Sequence, residues 1–281
     1  MIDKEILEKI LDEMSDKKQP VLKTGFQDLD NVLSGLEKSS LITIGSRPSM
    51  GKTSFITNIM LNILEQSKKC LFFSLENSVI QIVKRLIIQI SEIEYSVFNN
   101  KSFPSVEHAQ KLADTINKLT KYDLTIKDNV LAINEIKANI EKYKPEFVFI
   151  DYIQLIEESP EKPHSECYEK VVKDLKQIAK DNNCIIFITS QLSRALENRT
   201  SKIPKLQDLR GSGAIENISD VVMFIHRDEY YNLENADNTC FNKGNADIIV
   251  AKNKYGPCAM ISVIFKKTIM KFCEKIKPSL D

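Results

Sequence analysis

Residues 45 to 53 read GSRPSMGKT, a stretch whose chemistry is that of a phosphate cradle. Backbone N–H groups ahead of a helix form a concave anion nest, a lysine reaches the β and γ oxygens of a nucleotide, and the next hydroxyl ligates Mg²⁺. On this reading Ser46, Arg47, Pro48, Ser49, Met50, Gly51, Lys52 and Thr53 surround the phosphates. Lys52 is the mobile cation and Thr53 a metal ligand. The GxxxxGK[ST] spacing asks for a glycine at position 46, whereas the chain has Ser46 there and Gly45 one residue early.

A nucleotide site of this kind needs a second metal anchor. The run FVFID ends in Asp151, placing a carboxylate at the end of an apolar strand, from which it would hold Mg²⁺ through a water. Alone, apolar residues followed by Asp mark only a strand end; beside a phosphate loop the metal role is favoured. Hydrolysis also needs a group to deprotonate water. Glu76, which follows the apolar run Cys70 to Leu75, is the candidate general base. Gln191, after Ile185 to Ser190, is an uncharged amide suited to sensing the γ-phosphate.

These residues must be positioned by strands that end at a common edge. Apolar runs predict strands over Leu41 to Ile44, Cys70 to Leu75, Leu124 to Ile126, Phe147 to Ile150, Ile185 to Thr189, Val221 to Ile225, Ile248 to Ala251 and Ile261 to Phe265. Helical periodicity covers Thr53 to Leu64, Ile80 to Ile93, Glu107 to Leu119, Ile133 to Tyr143 and Glu166 to Lys180. The alternation implies an α/β fold, a mostly parallel sheet flanked by helices, with an antiparallel extension after Val221. Ahead of it, Ile6, Leu7, Ile10, Leu11 and Met14 form one stripe of a short amphipathic helix. Residues 1–20 therefore read as a linker helix and 21–281 as one large domain.

Composition narrows the classes. Lys plus Arg and Asp plus Glu both number 39, so no net field draws the chain to nucleic acid or membrane, and any polyanion site is local. No apolar run approaches a membrane span and the amino end lacks a signal core, which suggests a cytoplasmic protein. The six cysteines form no CxxC pair, so neither a zinc set nor a disulfide framework is expected.

The wording of several segments, SRPSMGKT, FSLE (Phe73 to Glu76), IDYIQLI, SQLSRALENR, DLRGSGAIE and KNKYGP, with TGFQDLDNVLSGL upstream, resembles the DnaB family of replicative helicases in order from Thr24 to Phe272. The resemblance implies a RecA-like P-loop ATPase core that hydrolyses ATP with Mg²⁺ at the interfaces of a hexameric homo-oligomer, moving 5′ to 3′ on single-stranded DNA. Helicase loader and primase are the further partners it suggests. It adds Lys252 and Lys254 as groups presented to the γ-phosphate of an adjacent subunit. The family has an arginine where this chain has Lys254, and an ammonium lacks the guanidinium's planar fork. Without the family, both lysines read as exposed strand-end residues.

A basic segment after Gln191 is the expected DNA contact, with Arg194, Arg199, Lys202, Lys205 and Arg210 set against Glu197 and Asp208. The other candidate channel loop, 157 to 166, is acidic. The family's helical amino-terminal domain has no counterpart in the sequence. The leading expectation is an ATP-driven helicase; the alternative is a nucleotide-gated regulatory or assembly protein on the same core that does not unwind DNA. A filament recombinase fits the core but not the motif wording.

Overall fold

The computed structural model describes residues 22–99, 105–157, 164–209, 212–231 and 244–275. The predicted linker helix, Arg210 and most of the acidic loop lie outside them. The first described helix, α1 (Gln27–Leu33), follows a turn in which Asp30 accepts hydrogen bonds from the Thr24 N–H (2.6 Å), the Thr24 hydroxyl (2.7 Å) and the Gly25 N–H (3.1 Å). Much of the TGFQDLD motif is thereby accounted for as a turn.

The elements then alternate: β1 (Leu41–Ser46), α2 (Lys52–Glu65), β2 (Cys70–Ser74), α3 (Val79–Ser91), α4 (Tyr95–Asn99), α5 (Val106–Leu119), β3 (Leu124–Lys127), α6 (Ile133–Tyr143), β4 (Phe147–Asp151), α7 (His164–Asp181), β5 (Ile185–Gln191), α8 (Ser212–Ile218) and β6 (Val221–His226). Three antiparallel strands close the chain: β7 (Asn245–Asn253), β8 (Ala259–Lys266) and β9 (Lys271–Glu274). The single sheet runs in the order β3-β2-β4-β5-β1-β6-β7-β8-β9, with parallel pairing as far as β6. This is the predicted architecture, with β9, α1, α4 and α8 added; each is too short, at four to seven residues, for a period to show.

Side chains alternate across the parallel strands, so the sheet has a core on each face. Ile42, Ile44, Phe72, Phe149 and Phe187 pack with Phe55, Ile59 and Ile63 of α2 and Leu86 of α3. Leu71, Phe73, Val148, Ile150 and Ile188 pack with Ile136 and Ile140 of α6 and Val172 and Leu175 of α7. On the first face Phe72, Phe149 and Phe187 form a ladder, with centroids 6.3 and 5.2 Å apart in stacked orientation. Central strands buried on both faces explain the unbroken apolar runs in the sequence. β8 instead alternates, burying Ile261, Val263 and Phe265 and exposing Met260.

The one-residue offset of the first loop glycine has a packing cause. Gly45 lies within β1, and a Cβ there would sit 2.8 Å from ring atoms of Phe224 and 3.1 Å from Leu192. Its small size serves the contact between β1 and β6 rather than the phosphates. Ser46, at the position the spacing reserves for glycine, adopts no positive φ and turns its hydroxyl to the Arg47 carbonyl at 3.0 Å. The left-handed positions of the loop are Ser49 (φ 65°) and Gly51 (φ 99°), of which the glycine adopts that conformation without strain. Gly45→Ala is expected to lower the unfolding free energy by about 1–3 kcal/mol through overpacking, read from the urea midpoint.

Candidate nucleotide and DNA site

Because β1, β2, β4, β5 and β6 are parallel, the segments leaving their carboxyl ends meet along one edge. Register places Ser46 beside Gln191 and Ser74 beside Asp151. The phosphate loop, Glu76, Asp151 and Gln191 are thus brought together by topology alone, at the edge where α/β sheets bind ligands.

Asp151 is fully buried, at 0% exposure. One carboxylate oxygen accepts the Thr53 hydroxyl at 2.5 Å and the other the Thr189 hydroxyl at 2.5 Å. A hydroxyl and a carboxylate oxygen converging at the mouth of the loop are the donor type that a small hard cation such as Mg²⁺ takes. Thr53 and Asp151 therefore fit such an ion. Among the described residues no group of three or more His, Cys, Asp or Glu side chains could form a dedicated metal cage.

Lys52 begins α2 immediately after the left-handed Gly51 cap. Its ammonium lies 4.5 Å from the centroid of the Tyr152 ring. Burial pushes the Lys52 pKa below its ordinary value, while Asp151 and Glu76 pull it partly back. The exposed Glu76 projects from the turn after β2, ahead of a helix capped by Ser78, whose hydroxyl accepts the Gln81 N–H.

Gln191 ends β5, and its N–H donates to Gln154 Oε1 at 3.2 Å, while Gln154 Nε2 donates to the Ser190 hydroxyl at 2.8 Å. Gln154, from the DYIQL segment, ties the loop after β4 to the end of β5. Two further cations at this edge carried no motif of their own. Arg85 of α3 donates to the Ser54 hydroxyl at 2.8 Å, feels the charges of Asp151 and Glu76, and keeps a buried Nε without a protein partner. Arg227, after β6, stacks on Phe265 (4.6 Å) and donates to the Ser49 carbonyl at 3.3 Å, bracing the loop. Amphipathic spacing on α3 could have flagged Arg85; Arg227 needed the sheet order.

Arg47 is engaged by the segment that follows β5. Its guanidinium is 8% exposed, donates to the Leu192 carbonyl at 2.8 Å and meets Glu197 Oε1 from Nε at 2.9 Å and Nη2 at 2.5 Å. The segment expected to be an irregular basic loop is folded. It contains 3₁₀ turns at Arg194–Asn198 and Leu206–Asp208 and a bridge between Leu192 and Leu209. Buried Asp208 organises it by accepting Arg199 Nη2 at 2.9 Å and the Lys205 N–H at 2.7 Å. Arg199 is therefore a staple of the turn. The Lys202 ammonium sits on the carbonyls of Glu197 and Arg199, and Arg194 and Lys205 are exposed.

Lys252 and Lys254 are not at this edge. Lys252 pairs in register with Val222 near the start of β6, so both lysines lie at the amino-terminal edge, roughly 20 Å from their own phosphate loop by the length of a six-residue strand. Lys252 donates to the carbonyls of Glu216 (2.5 Å) and Asn217 (3.0 Å) at the end of α8. Burial and the neighbouring Lys254 charge lower its pKa. Lys254, 43% exposed, pairs at 2.9 Å with buried Asp220, which also accepts Lys176 at 2.6 Å and the Leu41 N–H at 2.8 Å. Burial alone would raise Asp220; the Lys176, Leu41 and Lys254 hydrogen bonds together hold it below the ordinary carboxylate value.

Comparisons with known proteins agree with this geometry. Residues 21–274 match the model of the DnaB-like helicase C-terminal domain. The chain is 37% identical over 264 residues to a probable replicative DNA helicase of Trieres chinensis, covering 91% of this chain and 57% of that protein. It is 33% identical over 257 residues to the replicative DNA helicase DnaC of Bacillus subtilis, covering 89% and 55%. The chain thus spans little more than half the length of these relatives. Among solved structures it superposes on an isolated ATPase domain with a TM-score of 0.89 at 28% identity, covering 97% of this chain and 98% of that one. A DnaB-like replicative helicase studied with its primase gives 0.87 at 28% identity, over 98% and 67%. The relatives are named as helicases, which favours the motor over the regulatory alternative. Among the described residues no helix is long and apolar enough to cross a membrane.

The lowered Lys52 pKa yields a prediction for the nucleotide-free protein. Its folded value lies below the unfolded one, so the unfolded chain holds the proton more readily. The cost of burying the charge is fully present below the folded pKa and is relieved as pH rises toward 10.5. Lys52→Met should raise the melting temperature of the nucleotide-free protein at pH 7, and the difference should shrink at alkaline pH. The same variant should lose ATP binding in a calorimetric titration.

Proposed function

Because the chain belongs to the DnaB-like helicase C-terminal domain family, we propose that it is the motor of a DNA helicase that hydrolyses Mg-ATP between the subunits of a hexameric ring and moves 5′ to 3′ along single-stranded DNA. One observation carries the reading. The candidate phosphate, metal, base and sensor residues lie at one edge of the sheet, while Lys252 and Lys254 lie at the other, out of reach of their own loop but available to a neighbour's.

In this mechanism the loop N–H groups and Lys52 hold the β and γ phosphates, and Thr53 and Asp151 hold Mg²⁺. The ion neutralises phosphate charge when bound. Glu76, exposed at the mouth, accepts the proton of the attacking water. Gln191, fixed through its backbone by Gln154, reads the γ position and passes its state to the segment carrying Arg194, Lys202 and Lys205. Arg85 supplies a second buried positive charge beside Asp151 and Glu76. Lys252 and Lys254 complete the site from the adjacent subunit; Lys254 stabilises the transferring phosphoryl group as a point charge where the family uses a guanidinium fork. Primase is a proposed partner on the analogy of the helicase studied with primase, and a helicase loader is the further partner the family resemblance suggests.

Mixing two inactive proteins tests the shared site. Glu76→Gln should bind ATP but lose turnover by about 10² or more, because an amide cannot accept the proton. Lys254→Ala should likewise retain ATP affinity and lose turnover. Lys176 still neutralises Asp220 in that variant, so the fold is kept. Mixed in equal amounts, the two should recover activity at interfaces that pair an intact Glu76 with an intact Lys254. A mixture no more active than its components would contradict hydrolysis across the subunit boundary.

A further inference from the structure

Glu197 enters the sequence only as a charge opposing the cations around it, yet it stands between two candidate anion sites. Its carboxylate holds Arg47, the first residue beyond β1 in the phosphate loop. Its carbonyl holds the Lys202 ammonium, one of the candidate DNA contacts. The turn between them is anchored by Leu196, which is fully buried, and by the Ser193 hydroxyl, which accepts the Ala195 N–H at 3.3 Å. Leu192 also donates its N–H to the Ser46 carbonyl at 3.1 Å while accepting Arg47 at 2.8 Å. The phosphate loop and the basic turn therefore leave the sheet as one strapped unit.

A guanidinium has five N–H donors, and three of Arg47's are used by Glu197 and Leu192. On the motor reading, nucleotide phosphates would compete with the Glu197 carboxylate for Arg47, and DNA phosphates with the Glu197 carbonyl for Lys202. Each anion would then loosen the same turn, and whichever bound first would remove part of the cost met by the second. We propose that Glu197 is the positioning residue that couples nucleotide binding to single-stranded DNA binding within one subunit, by restraining Arg47 until Lys202 is drawn off. The inference rests on the motor reading above and adds to it a residue and a direction of effect. Glu197 is 45% exposed, so its replacement leaves no buried cavity.

The test is the affinity of a non-hydrolysable ATP analogue with Mg²⁺, measured with and without a thymidine oligonucleotide, for wild-type protein, Glu197→Ala and Glu197→Gln. Wild type should bind the analogue about fivefold or more tightly when the oligonucleotide is present, the lower end of ordinary coupling. Glu197→Ala frees Arg47 permanently, so its DNA-free affinity should equal or exceed that of wild type, and the oligonucleotide should change it by less than about twofold. Glu197→Gln, which keeps the acceptor oxygen and loses the charge, should fall between. A residue that merely stabilised the fold would weaken DNA-free binding when removed, the opposite sign, and that result overturns the proposal. So does a Glu197→Ala protein coupled as strongly as wild type. Wild-type protein that binds the analogue but does not respond to the oligonucleotide overturns the DNA reading and the coupling with it; failure of the variants alone overturns only the coupling.

Discussion

A buried carboxylate with a hydroxyl on each oxygen fixes the relation between the parts of this molecule. Asp151 has no exposed surface, and it reaches Thr53 of α2 and Thr189 of β5 at 2.5 Å each. An unpaired charge at such depth is costly, so α2, β4 and β5 are held where their polar groups can answer it. Lys52 and Arg85 both feel its charge. The consequence is a preorganised mouth: the groups that would meet a metal nucleotide are already aimed at one another by the need to satisfy Asp151.

From that point the sheet separates two tasks by its two edges. Parallel strands send the phosphate loop, Glu76, Asp151, Gln191 and Arg227 to the carboxyl edge. The antiparallel return of β7 carries Lys252 and Lys254 back to the amino edge. On the proposed reading, a site that used both sets would draw Lys252 and Lys254 from a neighbouring subunit, because strand direction keeps them away from their own loop. The helix α8 lies between the basic turn and the Lys252–Lys254 segment, with its last carbonyls on Lys252 and the adjoining Asp220 on Lys254.

Much of this was legible in the sequence because it depends on local pattern. Strands buried on both faces write themselves as apolar runs, and GSRPSMGKT specifies its own chemistry at consecutive positions. What was not legible depends on distant partners. Gly45 is needed because Phe224 presses on it from β6, a contact between residues far apart in the chain. The segment after Gln191 reads as irregular because Arg, Lys, Ser and Pro carry no period, yet Asp208 and Arg199, nine residues apart within it, fold it by a pairing that no periodicity signals. Arg47 reads as a phosphate ligand from its place in the loop, while its guanidinium is in fact shared with Glu197, 150 residues away. Arg85 and Arg227 become visible only once helix and strand order bring them to the loop.

The central claim is that Thr53 and Asp151 form the metal end of a nucleotide site, and it is tested most directly by the Mg²⁺ dependence of ATP-analogue affinity in wild type and Asp151→Asn. An amide can still accept one hydroxyl but offers a divalent cation no charge, so wild-type affinity should rise with Mg²⁺ while the variant's should be nearly indifferent to it. An Asp151→Asn protein whose affinity rises with Mg²⁺ as steeply as that of wild type would contradict the account.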